Sequence, residues 1–326
     1  MKSKLLFWLL ITVLLMTGST QAQQTGKVAR IGFLDSSTAS GMAVLLDAFK
    51  QGLSKLGWIE GKNIIIEYRF AENKGADRLP DLAAELVRLK VDLIVTTGNP
   101  SALAAKKATT AIPIVMATAP DPVGSGLVAS LARPGGNVTG LSGLAYELIT
   151  VRLEILKDAV PRLARVGLLR PAGGSDLQLK DLRPAALALK LKLEEIVTEA
   201  DAKGLESAFQ IVKKKKVDAI MPTSNRQFFA ERKRIIELAG KYRFPAIYFQ
   251  KEFVDEGGLM SYGADYDDLF RRAAVYVDKI LRGAKPAELP VQQATKFEFV
   301  INLKAAKQID LTIPARVLER ANKVIK

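Results

Sequence analysis

Five short polar stretches hold the groups in this chain best placed to grip a small molecule. They are Asp35-Ser36-Ser37-Thr38, Thr97-Gly98-Asn99, Thr118-Ala119-Pro120-Asp121, Arg170 and Thr223-Ser224-Asn225. Each follows an apolar run, and most of their side chains are small, neutral and able to hydrogen-bond. That chemistry suits binding rather than bond breaking. Histidine and cysteine are both absent, which removes the commonest general base, the commonest metal ligand and the thiolate nucleophile. The neighbouring acids Asp267-Asp268 and Glu194-Glu195 diverge on a helix or strand and read as solvated surface, so no catalytic pair stands out. Arg133-Pro134-Gly135-Gly136-Asn137 is a turn without the Gly-Lys-Ser/Thr of a phosphate loop. The turn after the first strand lacks the glycines of a dinucleotide site. The expectation is a binding protein without catalysis, cofactor or metal.

The elements that must position these stretches are repeated. Val28–Leu34 (VARIGFL) returns as Leu163–Leu169 (LARVGLL), Lys90–Asn99 as Lys216–Asn225, and Ile112–Met116 is echoed by Phe244–Phe249. Three matches in one order imply two similar lobes facing a cleft. In the first half, strands are expected at Val28–Leu34, Asn63–Tyr68, Val91–Thr96 and Ile112–Met116. They alternate with helices at Ser40–Leu56, Arg78–Leu89 and Ser101–Ala108. The second half reads alike, with strands at Arg165–Leu169, Leu193–Ile196, Val217–Met221 and Ala246–Phe249. Strands separated by helices predict right-handed βαβ units, so the fold class is α/β, with two doubly wound parallel-sheet lobes. A strand through Phe297, Phe299 and Ile301 and a last helix from Pro314 through Val324 have no partner in the repeat and are expected to tie the lobes together. The lobes are expected at about 27–143 plus 262–292 and 144–261 plus 293–326.

Ligands of open parallel sheets lie beyond the carboxyl ends of the strands, which is where the polar stretches fall. Asn99 is expected to cap the helix that follows it, and that helix start would suit a carboxylate. Ser224 and Asn225 offer the same from the other lobe. Taken alone, either pair reads as a cap of its own helix; the matched placement favours ligand contact. Asp121, restrained between Pro120 and Pro122, would accept a ligand ammonium or cap the turn that follows. Tyr248, Tyr262 and Tyr266 would stack on a ligand or join the core.

The first 22 residues read as a cleavable secretory signal. Lys2 and Lys4 precede the apolar run Leu5–Met16 and the small residues Gly18, Ser19, Thr20 and Ala22, with cleavage expected before Gln23. The run is short of the ~20 residues that span a bilayer. The formal charge is +14, but the cations are scattered along helices rather than interleaved with aromatics. The one cluster, Lys213–Lys216, sits at a helix end that favours cations. A nucleic-acid partner is not expected.

Two long segments, Ala111–Ser142 and Arg271–Pro314, resemble the signature stretches of the ABC-transporter substrate-binding family associated with tryptophan and tyrosine uptake. Gln293-Ala294 stands where many members carry Gln-Pro, a minor departure. The resemblance covers essentially the whole mature chain. It implies a type I periplasmic-binding-protein fold with three crossings between lobes. It also implies a monomeric periplasmic receptor that closes on a small ligand and delivers it to an ABC permease and its ATPase. Carried over by position, the ligand contacts would be Ser36, Ser37, Thr97, Gly98, Asn99, Asp121, Ser142, Ser224, Asn225 and Tyr262. The alternative is a periplasmic sensor presenting its closed form to a membrane receptor.

Overall fold

The computed structural model describes residues 28–73, 76–174 and 176–326; the expected signal lies outside them. The first sheet runs β11-β5-β4-β3-β1-β2, and all its pairings are parallel. Its strands are β1 (Ala29–Asp35), β2 (Ile64–Phe70), β3 (Leu93–Thr97), β4 (Ile114–Ala119), β5 (Val138–Ser142) and β11 (Gln292–Gln293). β3, β4 and β5 are buried throughout, as strands covered on both faces must be, which explains why no charged residue falls within them.

The second sheet is built in two pieces. β7 (Lys192–Thr198), β6 (Arg165–Pro171) and β8 (Ala219–Pro222) form one parallel set, in the order β7-β6-β8. β13 (Lys323–Ile325), β12 (Phe297–Asn302), β10 (Met260–Ala264) and β9 (Ile247–Tyr248) form the other. A single bridge between Ile220 and Ala246 joins them. β10 and β12 run antiparallel, an exception to the parallel expectation.

The chain passes between the sheets three times: after β5, between β10 and β11, and between β11 and β12. The helix Tyr266–Leu281 returns to the first lobe and packs along Ala39–Lys55. Gly52 permits that approach, since a Cβ there would stand 2.9 Å from Ala274 Cβ. One apolar cluster runs from Phe33 and Met42 in the first lobe to Phe228 and Phe229 in the second.

The expected terminal helix is a further departure. It stops at Leu318, and Val324 instead pairs with Ile301 in β13. The apolar spacing of Val317, Leu318, Ala321 and Val324 suits a helix, but a free edge of β12 captures the last of them.

Candidate ligand-binding site

The sheets face each other across a cavity of about 710 Å³, well within the range of small-molecule sites. Ser36, Gly98, Asn99, Thr118 and Pro120 line it from the first lobe. Gln178, Thr223, Ser224, Asn225 and Arg226 line it from the second, and Tyr146 and Tyr266 contribute from just beyond two of the crossings. Leu103, Pro100 and Pro171 add apolar wall.

The first-lobe loops are held by Asp35. It is buried at the end of β1, where its Oδ1 accepts from Ser37 N at 2.6 Å and Ser37 Oγ at 2.5 Å. Its Oδ2 accepts from Thr97 Oγ1. Burial raises the Asp35 carboxyl pKa, and the Ser37 bonds only partly oppose this. Ser37 and Thr97 therefore serve the loop scaffold and do not line the cavity. The helix Gly98–Ala108 begins three residues before the expected Ser101, with Thr97 before it. Asn99 thus sits inside the first turn rather than capping it, and its buried Oδ1 has no partner.

The second-lobe loop is held from beneath. Gln178 accepts from Ser224 N at 3.0 Å and donates to Ser224 O at 3.2 Å. Arg152, fully buried, donates to Ser224 Oγ, Ala145 O and Tyr262 O. One guanidinium thus ties the cleft loop to backbone near two of the crossings. Burial lowers the Arg152 pKa to about 10.

Asn225 caps the helix Arg226–Ala230 through Oδ1, accepting from Gln227 N at 2.7 Å and Phe228 N at 3.3 Å. The cap consumes the N–H groups that the sequence reading reserved for a ligand. Asn225→Ala should still matter, because it releases the turn that carries Arg226. We expect a stability loss of about 1 kcal/mol together with weaker ligand affinity. Melting and calorimetry indistinguishable from wild type would remove Asn225 from the site.

Other expected contacts lie elsewhere. Asp121 is not in the cavity wall, and its Oδ1 accepts from Gly124 N at 2.8 Å. That is the turn-capping alternative. Ser142 is buried, with its Oγ 3.4 Å from Pro120 O. Tyr262 packs edge-on against Phe299, and Tyr248 stacks on Phe253 within the second lobe. Tyr266 alone of the three tyrosines lines the cavity.

Arg226 was missed by sequence reasoning. Its stem lies 3.6 Å from the position a Gly98 Cβ would take, so it reaches across to the first lobe. Its guanidinium stands 4.9 Å from the Tyr266 ring centroid and 5.1 Å from that of Phe229. Nη2 donates to Gln250 Oε1 at 2.5 Å. Nη1 is buried without a partner, and among the described residues no ion pair involves Arg226. Arg170, the other cation in the wall, is already paired with Glu195 at 2.8 Å and with Asp176. A signal for Arg226 existed: a cation in the first turn of a helix opposes the helix dipole and needs another reason to be there.

Buried unpartnered polar groups are costly, charged ones most of all. Asn99 Oδ1, Thr223 Oγ1 and Arg226 Nη1 are three such atoms on cavity-lining residues. An enclosed molecule with an anionic group and further polar atoms would satisfy them.

Comparison with known proteins agrees with this architecture. The chain is 29% identical over 272 residues to a tyrosine-binding protein of Clostridioides difficile (strain R20291), covering 82% of this chain and 77% of that one. A conserved domain protein from Vibrio cholerae O1 biovar El Tor is 29% identical with a TM-score of 0.82, covering 91% of this chain and all of that one. An ABC domain from Streptococcus pneumonia, solved in complex with L-Trp, is 27% identical with a TM-score of 0.80, covering 91% and 99%. The fold is that of type I periplasmic binding proteins. The model of the family described as "ABC transporter substrate binding protein" matches residues 31–325, and the chain belongs to that family.

Proposed function

We propose that this protein is the periplasmic substrate-binding component of an ABC importer. It encloses a small carboxylate-bearing solute, an amino acid or a related acid, and presents the closed form to a membrane permease. The observation that carries the reading is Arg226, buried in the cleft wall with one guanidinium nitrogen unpartnered. Its planar fork suits a carboxylate. The Tyr266 ring and the apolar residues Leu103, Pro100 and Pro171 suit the remainder of an aromatic or other apolar body. The relatives named for tyrosine and solved with L-Trp support that class of ligand. Export through the amino-terminal signal and delivery to a permease and its ATPase complete the proposal.

The test is a thermal-shift panel of free amino acids and related carboxylates, preceded by mass spectrometry of whatever co-purifies. At a hundredfold excess over Kd, mass action adds about 2.7 kcal/mol, so the melting midpoint should rise by roughly 5 °C or more. No shift with any carboxylate, and no acid in the co-purified material, would refute the reading.

A further inference from the structure

A ligand shut between the lobes takes its charges out of water, and each then needs an opposite partner. Arg226 offers one for an anion. The wall offers no buried equivalent for a cation. Every aspartate and glutamate of the chain falls among the described residues. Those lining the cavity are Asp77 and Glu199, both exposed, where pairing contributes little. Asp35 has both oxygens occupied by Ser37 and Thr97. Asp121 is outside the wall, with Oδ1 engaged in its own turn. Glu252 is buried beside Gln250, outside the cavity wall.

The groups left near Arg226 to meet a substituent beside the ligand carboxylate are neutral. They are the Asn99 amide and the Thr118 and Thr223 hydroxyls. An amide presents donors on one side and an acceptor on the other, and a hydroxyl rotates to either role. Such a wall serves an ammonium, a hydroxyl or a bare methylene with little difference.

We infer that the cleft selects a carboxylate on an apolar body and is indifferent to the substituent on the adjacent carbon. Aryl-substituted 2-hydroxy acids and unsubstituted arylalkanoic acids are then ligands of this protein alongside 2-amino acids. The inference rests on Arg226 as the anion site and narrows what that site demands.

Calorimetry on the purified protein with four probes tests it: L-tyrosine, 3-(4-hydroxyphenyl)lactate, 3-(4-hydroxyphenyl)propionate and tyramine. The three acids should bind with dissociation constants within about tenfold of one another, and tyramine should give no heat. Should L-tyrosine bind more than about tenfold tighter than the propionate, the inference fails while the carboxylate site stands. Tyramine binding comparably to the acids, or silence from all four probes, overturns the underlying reading and this inference together.

Discussion

Arg226→Gln lowers affinity for a carboxylate ligand by about a hundredfold and leaves the ligand-free protein at least as stable. The first half follows from the loss of a charge-assisted hydrogen bond, about 1.5–3 kcal/mol. The second follows from burial: the guanidinium is nearly enclosed and, among the described residues, no carboxylate lies within ion-pair distance, Asp35 and Glu252 feeling its charge only from further off. Removing an unpaired buried charge is neutral or stabilising, whereas removing one member of a pair is not. Glutamine keeps a donor for Gln250. Calorimetry and melting of the apo protein separate the two effects. A variant that binds normally would move the anion site elsewhere. One that unfolds would show Arg226 to be scaffold.

Gly41→Leu should hold the lobes apart. Gly41 lies in the first turn of the helix Ala39–Lys55, and a Cβ there would stand 2.6 Å from Ala230 Cα and 2.4 Å from Ala230 Cβ on the opposing lobe. The Gly41 carbonyl accepts from Arg232 Nη1 at 2.9 Å across the same junction. Within its own helix the change is favourable, since leucine exceeds glycine in helix propensity by nearly 1 kcal/mol. The nearest atom on its own lobe is the Thr38 hydroxyl, at 3.0 Å. The lobes should therefore fold and fail to meet. Losing the hydrogen bonds supplied by the second lobe, at 0.5–1.5 kcal/mol each, weakens binding by about two orders of magnitude. Solution scattering should show a larger radius of gyration that ligand no longer reduces. Wild-type compaction on adding ligand would show that this contact does not limit closure.

What could be read in the sequence, and what could not, divides along physical lines. The apolar runs that became β1, β3, β4, β6 and β8 are buried on both faces, so burial wrote itself into composition and the repeat was visible. The strand ends were therefore placed correctly, and Ser36, Gly98, Asn99, Ser224 and Asn225 do reach the cavity. Their roles depended on contacts between distant segments. Asp121 has a hydrogen-bond donor three residues away, and the local partner wins over a distant ligand. Ser37 and Thr97 look like free hydroxyls until Asp35 is found between them. β5 and β10 carry glycine within short runs, which weakened their pattern. Arg226 meets Gly98, Tyr266 and Gln250 only in three dimensions.

The interleaving of the chain also dictates when it becomes a protein. The first sheet borrows its covering helix from residues 266–281, and the second gains its edge strand only at 323–325. Synthesised from the amino terminus, neither sheet is fully covered and paired until the distal third has emerged. Loss of the carboxyl-terminal segment would therefore strip both lobes at once rather than leave one of them whole.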